Sequence, residues 1–163
     1  MLDVEVIKED GSKHYLAVND AVVARGQLSK TIDLHLTLDG DEISKYRADG
    51  LLFATPTGST AYSLSAGGPI LAPKMECILM TPVCPHSLFS RSVLFSGESE
   101  LSVHVKIPEE CCCVLTIDGE KNVPVLATDR VVIRKSDLKL KLALLHNRNF
   151  YKLLNEKLKE RDF

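Results

Sequence analysis

The 163-residue sequence suits one domain with a sizeable core. Its 20 basic and 22 acidic residues leave a net charge of −2, so no overall field points to nucleic acid or to an anionic membrane. No apolar run approaches the roughly 20 residues of a membrane span, and Met1-Leu2-Asp3-Val4 does not read as a secretory signal.

Alternation dominates the chain and predicts strands. Leu2, Val4 and Val6 alternate with Asp3 and Glu5; the turn signal Glu9-Asp10-Gly11-Ser12 follows, and the chain returns through Tyr15 to Val18 as a hairpin. Ile32, Leu34, Leu36 and Leu38 share one face of a strand that ends at the turn Asp39-Gly40-Asp41. Asp49-Gly50 precedes an apolar strand, Leu51-Leu52-Phe53-Ala54, and the turn Thr55-Pro56-Thr57-Gly58. A helix is predicted from Ser59 to Ala66, with Gly67 and Gly68 to end it and Pro69 to block continuation. Thr81-Pro82-Val83-Cys84-Pro85-His86-Ser87-Leu88 reads as a rigid loop that positions His86 and Ser87. Leu101, Val103, Val105 and Ile107 form another alternating set. Asp118-Gly119 reads as a hairpin turn, and Leu138, Leu140 and Leu142 predict a further strand. The tail, Asn149 to Arg161, places Phe150, Leu153, Leu154 and Leu158 on one helical stripe. The expected fold is mainly β: two packed antiparallel sheets in a sandwich, a short helix after the threonine-rich turn and a C-terminal helix.

Five cysteines (77, 84, 111, 112 and 113) lack the spacing of a disulfide framework or a zinc site, and read as small thiols in a reducing cytoplasm. The turn at Thr55–Gly58 is the chemically loaded segment. A helix N-terminus exposes unpaired N–H groups and a partial positive charge, which attract phosphate or ribose oxygens. Hydroxyls of Thr57, Ser59 and Thr60 can cap such a helix or face a ligand, and Gly58 permits close backbone approach. From the residues alone, a ligand site and an ordinary capped connection fit equally. Walker, kinase-loop, GxSxG, CxxC and HExxH signatures do not occur.

In order along the chain, Asn19-Asp20, "DGLLFATPTGSTAYSLSAGGPI" from Asp49, "TPVCPHSLFSRSVLF" from Thr81 and "TIDG" from Thr116 closely resemble NAD kinase. The closing "NRNFYKLLNEKL" resembles the terminal helix of bacterial members. The related diacylglycerol and sphingosine kinases share the architecture but are not expected to carry TPTGSTAY followed by CPHSL. The resemblance implies transfer of a phosphoryl group from ATP or inorganic polyphosphate to the 2′-hydroxyl of the adenosine ribose of NAD, giving NADP. It further implies a divalent metal, usually magnesium, a cytoplasmic homo-oligomer (dimer or tetramer), and no nucleic-acid or membrane partner.

The family's GGDG motif, whose aspartate is held to activate the ribose hydroxyl, does not occur in this sequence. Residues 1–163 are therefore expected to correspond to the β-rich C-terminal domain, without the N-terminal α/β domain and inactive alone. The alternative is a non-catalytic nucleotide-binding or oligomerisation module.

Residue by residue, the resemblance implies that Asn19 and Asp20 contact the adenosine portion, with Asp20 in place of the usual, longer glutamate. It assigns Asp49 to the nicotinamide end and Thr57, Thr60, Ala61, Tyr62 and Ser65 to the turn and helix around adenine. His86 falls in the loop on the nicotinamide side, facing a neighbouring subunit. Asp118 falls near an acidic position close to the phosphates and is the remaining candidate for a catalytic group; no metal ligand is assigned.

Overall fold

The computed structural model describes residues 1–26, 31–87, 90–107, 113–141, 143 and 149–161. Its alternating segments form β1 (Leu2–Lys8), β2 (Gly11–Ala17), β3 (Asp20–Arg25), β4 (Ile32–Leu38), β5 (Asp41–Ala48) and β6 (Gly50–Ala54) in the first part of the chain. The second part supplies β7 (Cys77–Val83), β8 (Val93–Ser96), β9 (Leu101–Lys106), β10 (Cys113–Ile117), β11 (Lys121–Val125) and β12 (Arg130–Lys135). Two six-stranded sheets result, with orders β2-β1-β12-β9-β4-β5 and β11-β10-β3-β6-β7-β8. Every pairing is antiparallel, as the two-sheet expectation requires.

The core lies between the sheets, where the inward residues of each strand are withdrawn from water. Leu2, Val4, Val6, Leu34, Leu36 and Val103 of the first sheet meet Val23, Leu51, Phe53, Ile78, Met80 and Leu115 of the second. A second apolar cluster, Val22, Leu52, Ala54, Leu71 and Leu79, sits apart from that core. Because side chains alternate along a strand, Val22, Leu52 and Leu79 emerge on the opposite face of the second sheet. Strands β3, β6 and β7 are thus buried on both faces, which is why they read as continuous apolar runs.

Of the chain crossings between the sheets, two are very short. Residues 18–19 carry the chain from β2 to β3, and Asp49 carries it from β5 to β6. Asp20 pairs with Ala54 and Ala24 with Gly50, so the two crossings lie at opposite ends of β3 and β6. Asp118 and Gly119 both have positive φ (49° and 73°) and turn β10 into β11, as the Asp-Gly signal predicts.

Three expectations change. The helix predicted from Ser59 to Ala66 is instead a 3-10 turn (Thr57–Thr60) and a single helical turn, α1 (Tyr62–Ser65), separated by Ala61 at φ −92°, ψ −130°. The cap positions, Pro56 and Ala61, supply no side-chain bond, and the Ser59 hydroxyl instead donates to the Pro56 carbonyl and accepts the Leu71 N–H. That second bond draws the segment over the outer face of the second sheet, and the chain bends to follow it. The strand predicted over Asp137–Leu142 does not form at 137–141; Leu142 lies outside the described residues. Leu138 N–H donates to Ser136 Oγ, turning the chain out of the sheet, and Leu138 and Leu140 are exposed. The terminal helix, α2 (Phe150–Arg161), is present, but its stripe is not a buried face: Leu153 is exposed, and Phe150 meets Tyr151 edge-to-face at 5.2 Å.

Cys113 is buried, Cys77 half-buried and Cys84 exposed; Cys111 and Cys112 lie outside the described residues. Among the described residues no helix is long and apolar enough to cross a membrane.

Gly58 is the closest approach between the turn and the first crossing. A Cβ there would fall on the Asn19 carbonyl and Cα, both main-chain atoms that cannot swing away. Gly58→Ala is therefore expected to cost about 2 kcal/mol or more, lowering Tm by several degrees in a calorimetric scan.

Candidate functional site

The crossing at Val18–Asp20 is held from two sides. The Thr55 hydroxyl donates to the Val18 carbonyl (2.7 Å) and accepts the Gly58 N–H (2.9 Å), while Thr55 N–H donates to the Asn19 carbonyl (2.9 Å). From the other side, Asp118 accepts three main-chain N–H groups: Val18 at 2.8 Å, Asn19 at 2.7 Å and Asp20 at 3.0 Å. Its own N–H returns to the Asp20 carbonyl (2.9 Å). The left-handed conformation of Asp118 aims a short carboxylate back at the crossing, a geometry that Asp tolerates better than most residues.

Beside this staple opens a groove of about 470 Å³, with Asn19, Asp20, Ala61, Tyr62 and Asp118 in its lining and Val22 and Ala24 along its floor. Asp20 is only 5% exposed, and no described residue hydrogen-bonds to its carboxylate. Burial pushes this carboxyl up to about 6, and the neighbouring Asp118 carboxylate adds to the shift. Tyr62, 49% exposed, presents an aromatic wall. The groove therefore combines a flat apolar surface with a hydrogen-bond acceptor that lacks a donor. Its chemistry suits a neutral ring bearing hydroxyls better than an anion.

Other predicted residues are placed elsewhere. Thr57 lines a separate cavity on the far side of its own turn. Thr60 donates its hydroxyl to the Thr57 carbonyl, and Ser65 is exposed at the end of α1. Asp49 and His86 belong to the opposite end of β6, roughly 15 Å away for five residues of strand. There Asp49 N–H donates to the Val83 carbonyl and His86 N–H to the Arg47 carbonyl. Arg25 grips the Asp49 carboxylate through Nε (2.7 Å) and Nη2 (3.4 Å). Two contributors escaped sequence reasoning. Thr55 is visible only as part of a polar turn, and Arg25 meets Asp49 only through the β3–β6 register.

Among the described residues no group of three or more His, Cys, Asp or Glu side chains could hold a metal ion. Asp118, the natural candidate, already has both oxygens engaged by main-chain N–H groups.

The class this geometry defines is an antiparallel two-sheet domain whose sheet-to-sheet crossing, rather than a helix N-terminus, builds the site. The chain belongs to the family described as the ATP-NAD kinase C-terminal domain, whose family model matches residues 18–145. It is 38% identical over 163 residues to an NAD kinase of Lachnoclostridium phytofermentans, covering 96% of this chain and 57% of the relative. To an NAD kinase of Magnetococcus marinus it is 41% identical over 161 residues, covering 97% and 52%. The chain thus spans little more than half the length of these relatives. Among solved structures, yeast NADH kinase complexed with NADH superposes with a TM-score of 0.72 at 36% identity, over 82% of this chain and 39% of that one. An Archaeoglobus fulgidus NAD kinase in complex with ATP gives 0.69 at 30%, over 84% and 51%.

Two measurements probe the site. Asp118→Asn keeps one acceptor oxygen but turns an NH2 group toward main-chain donors, so a loss of about 2 kcal/mol or more is expected in denaturant unfolding. Hydrogen exchange at the Val18 and Asn19 amides should accelerate with it.

For Asp20, the folded pKa of about 6 lies above the ordinary 3.8, so folding binds its proton more tightly. Its stabilising contribution is full below pH 3.8 and is lost as pH rises through 6. Asp20→Asn is thus expected to be more stable than the parent at pH 7.5, on the order of 2–3 kcal/mol, with the gap closing toward pH 4.

Proposed function

We propose that this chain supplies the dinucleotide-binding part of an NAD kinase. In that reaction a phosphoryl group passes from ATP or polyphosphate to the 2′-hydroxyl of the adenosine ribose of NAD, giving NADP. The observation that carries the reading is the nearly buried Asp20 carboxylate, without a donor among the described residues, beside the exposed Tyr62 ring. A nucleoside satisfies both, its hydroxyls donating to Asp20 and its base lying on Tyr62. NADH in the yeast structure and ATP in the archaeal one support a nucleotide as the ligand class.

The span from Asp20 to Asp49 suits a ligand of two rings joined by a pyrophosphate, with adenosine at the Asp20 end and nicotinamide near Asp49 and His86. In this reading Asn19 and Asp20 orient the ribose, and Asp118 holds the main chain that carries them. Catalysis then comes from positioning and in-line alignment. The aspartate of the GGDG motif is absent from this sequence, so the chain is proposed to bind without turning over. Magnesium supplies charge neutralisation at transferring phosphates in such chemistry. The described side chains do not form its site. A cytoplasmic, homo-oligomeric enzyme is proposed on the family resemblance alone.

Calorimetric titration with NAD, paired with a coupled assay for NADP using ATP and magnesium, tests the proposal. Binding without turnover is expected, and Tyr62→Ala should weaken binding about tenfold, in line with the roughly 1–3 kcal/mol of base stacking. An unchanged affinity in that variant would remove Tyr62 from the site. Failure of the chain to bind any adenine nucleotide would overturn the dinucleotide reading for the chain by itself.

A further inference from the structure

The outer face of the second sheet, apolar over Val22, Leu52 and Leu79, carries a buried hydroxyl at Thr81. Thr81 pairs with Leu52 and Leu52 with Val22, so the three form a row across β7, β6 and β3. Val22 floors the groove; Thr81, two strands and about 10 Å further along the row, is outside its lining and 1% exposed. A hydroxyl buried among aliphatic side chains opposes folding unless it is hydrogen-bonded. Two serines supply the bonds. Ser63 Oγ meets Thr81 Oγ1 at 3.1 Å, and Ser92 Oγ, from the residue before β8, meets it at 3.0 Å.

This chain of hydroxyls leads to α1. A single helical turn satisfies few of its own main-chain groups and does not hold itself in water, so packing must fix it. Ser63 is fully buried on its underside, while the adjacent Tyr62 stands exposed in the groove lining. The Ser63 carbonyl accepts the Gly68 N–H (2.8 Å), which folds the chain back over the hydroxyl pair. A Cβ at Gly68 would fall on Ser63 Oγ and Thr81 Oγ1, so the main chain closes directly over both. The Ser63–Thr81 bond therefore ties α1 to β7.

We infer that Thr81 is a positioning residue for Tyr62. Its hydroxyl, held by Ser92, fixes Ser63 and through it the angle at which the Tyr62 ring stands over the groove. Either hydroxyl of each pair can donate, so the chain can run in both directions. Valine at position 81 keeps the shape but removes the middle group, and Ser63 is left buried without that partner. To find another, α1 must lift or rotate, and Tyr62, one residue away, moves with it. The value of Tyr62 as a wall for adenine rests on the dinucleotide reading above; the anchoring of α1 does not.

The test pairs hydrogen exchange of the ligand-free chain with calorimetric titration of NAD, in Thr81→Val, Thr81→Ser and Ser92→Ala variants whose folding is checked by Tm. The Ala66 and Gly68 amides donate to the Tyr62 and Ser63 carbonyls and report on α1 directly. In Thr81→Val their exchange should accelerate about tenfold or more. NAD affinity should fall about tenfold, the loss expected of Tyr62→Ala. Thr81→Ser keeps the hydroxyl and should restore both readouts to within about twofold. On a Tyr62→Ala background Thr81→Val should cost no further affinity, because both changes remove one contact. Ser92 is only half-buried, so Ser92→Ala is expected to fold where Thr81→Val does not, and should shift both readouts the same way by about threefold.

Unchanged exchange or unchanged NAD affinity in Thr81→Val would overturn the inference, and Ser92→Ala decides in its place if Thr81→Val does not fold. A Thr81→Ser variant no better than Thr81→Val would overturn it too, because shape rather than the hydroxyl would then matter. So would a loss that persists in full on the Tyr62→Ala background, since Thr81 would then act by another route. In a parent that binds NAD, each of these leaves the dinucleotide reading intact. Hydroxyl-dependent exchange in a parent that binds no adenine nucleotide would sustain the anchoring of Tyr62 and sink the dinucleotide reading instead.

Discussion

Everything at this site depends on the short crossing between β2 and β3, where the chain leaves one sheet for the other. Between the sheets the main chain has no ladder partner, and an unpaired buried N–H or carbonyl group costs about as much as a lost hydrogen bond. Thr55 and Asp118 supply the partners. Asp118 takes three N–H groups onto one carboxylate, and charge-assisted bonds of this kind are the strong ones. Because Thr55 follows β6 and Asp118 follows β10, the crossing binds three otherwise separate connections into one rigid corner. Asn19 and Asp20 are placed by that corner, and so is the Gly58 turn that presses against it.

The corner also sets the electrostatics. With Asp118 committed to main-chain N–H groups, its negative charge stays beside Asp20, which has no donor among the described residues. Burying a carboxylate without hydrogen bonds opposes folding, and such groups persist where a ligand completes them. Asp20 contrasts with the ion-paired carboxylates on the sheet surfaces, such as Asp33 with Arg47. On the other side of the turn the balance reverses, with two lysines, Lys74 and Lys139, on one cavity that have no partner among the described residues. A four-residue turn thus separates an acidic recess from a basic one.

The mainly β fold was legible because period-two alternation is written directly into β1, β4 and β9, each with one buried face. The turn chemistry of Asp118-Gly119 was legible for the same local reason: few residues tolerate two successive positive φ angles. Local pattern failed where long-range bonds prevailed. Ser59 looked like a helix cap but spends its hydroxyl on Pro56 and Leu71, and the predicted helix breaks into two short turns. The Leu-Lys alternation after Asp137 looked like a strand, but it leaves the sheet at Ser136, where the turn exposes its leucines.

By itself the sequence determined the sheet-forming segments, the family and the segments from which the site is drawn, because motifs and periodicities are properties of neighbouring residues. Tertiary structure alone decided which of those residues meet. Asp118 reaches Val18 across 100 positions of chain, Thr55 joins them from a third strand end, and Thr57 turns away into another cavity. Arg25 likewise finds Asp49 only when β3 and β6 pair in register. The physical reason is that a carboxylate's partners, and hence its charge state and chemistry, are set by which backbone groups the fold leaves without a ladder bond, and no local pattern records that.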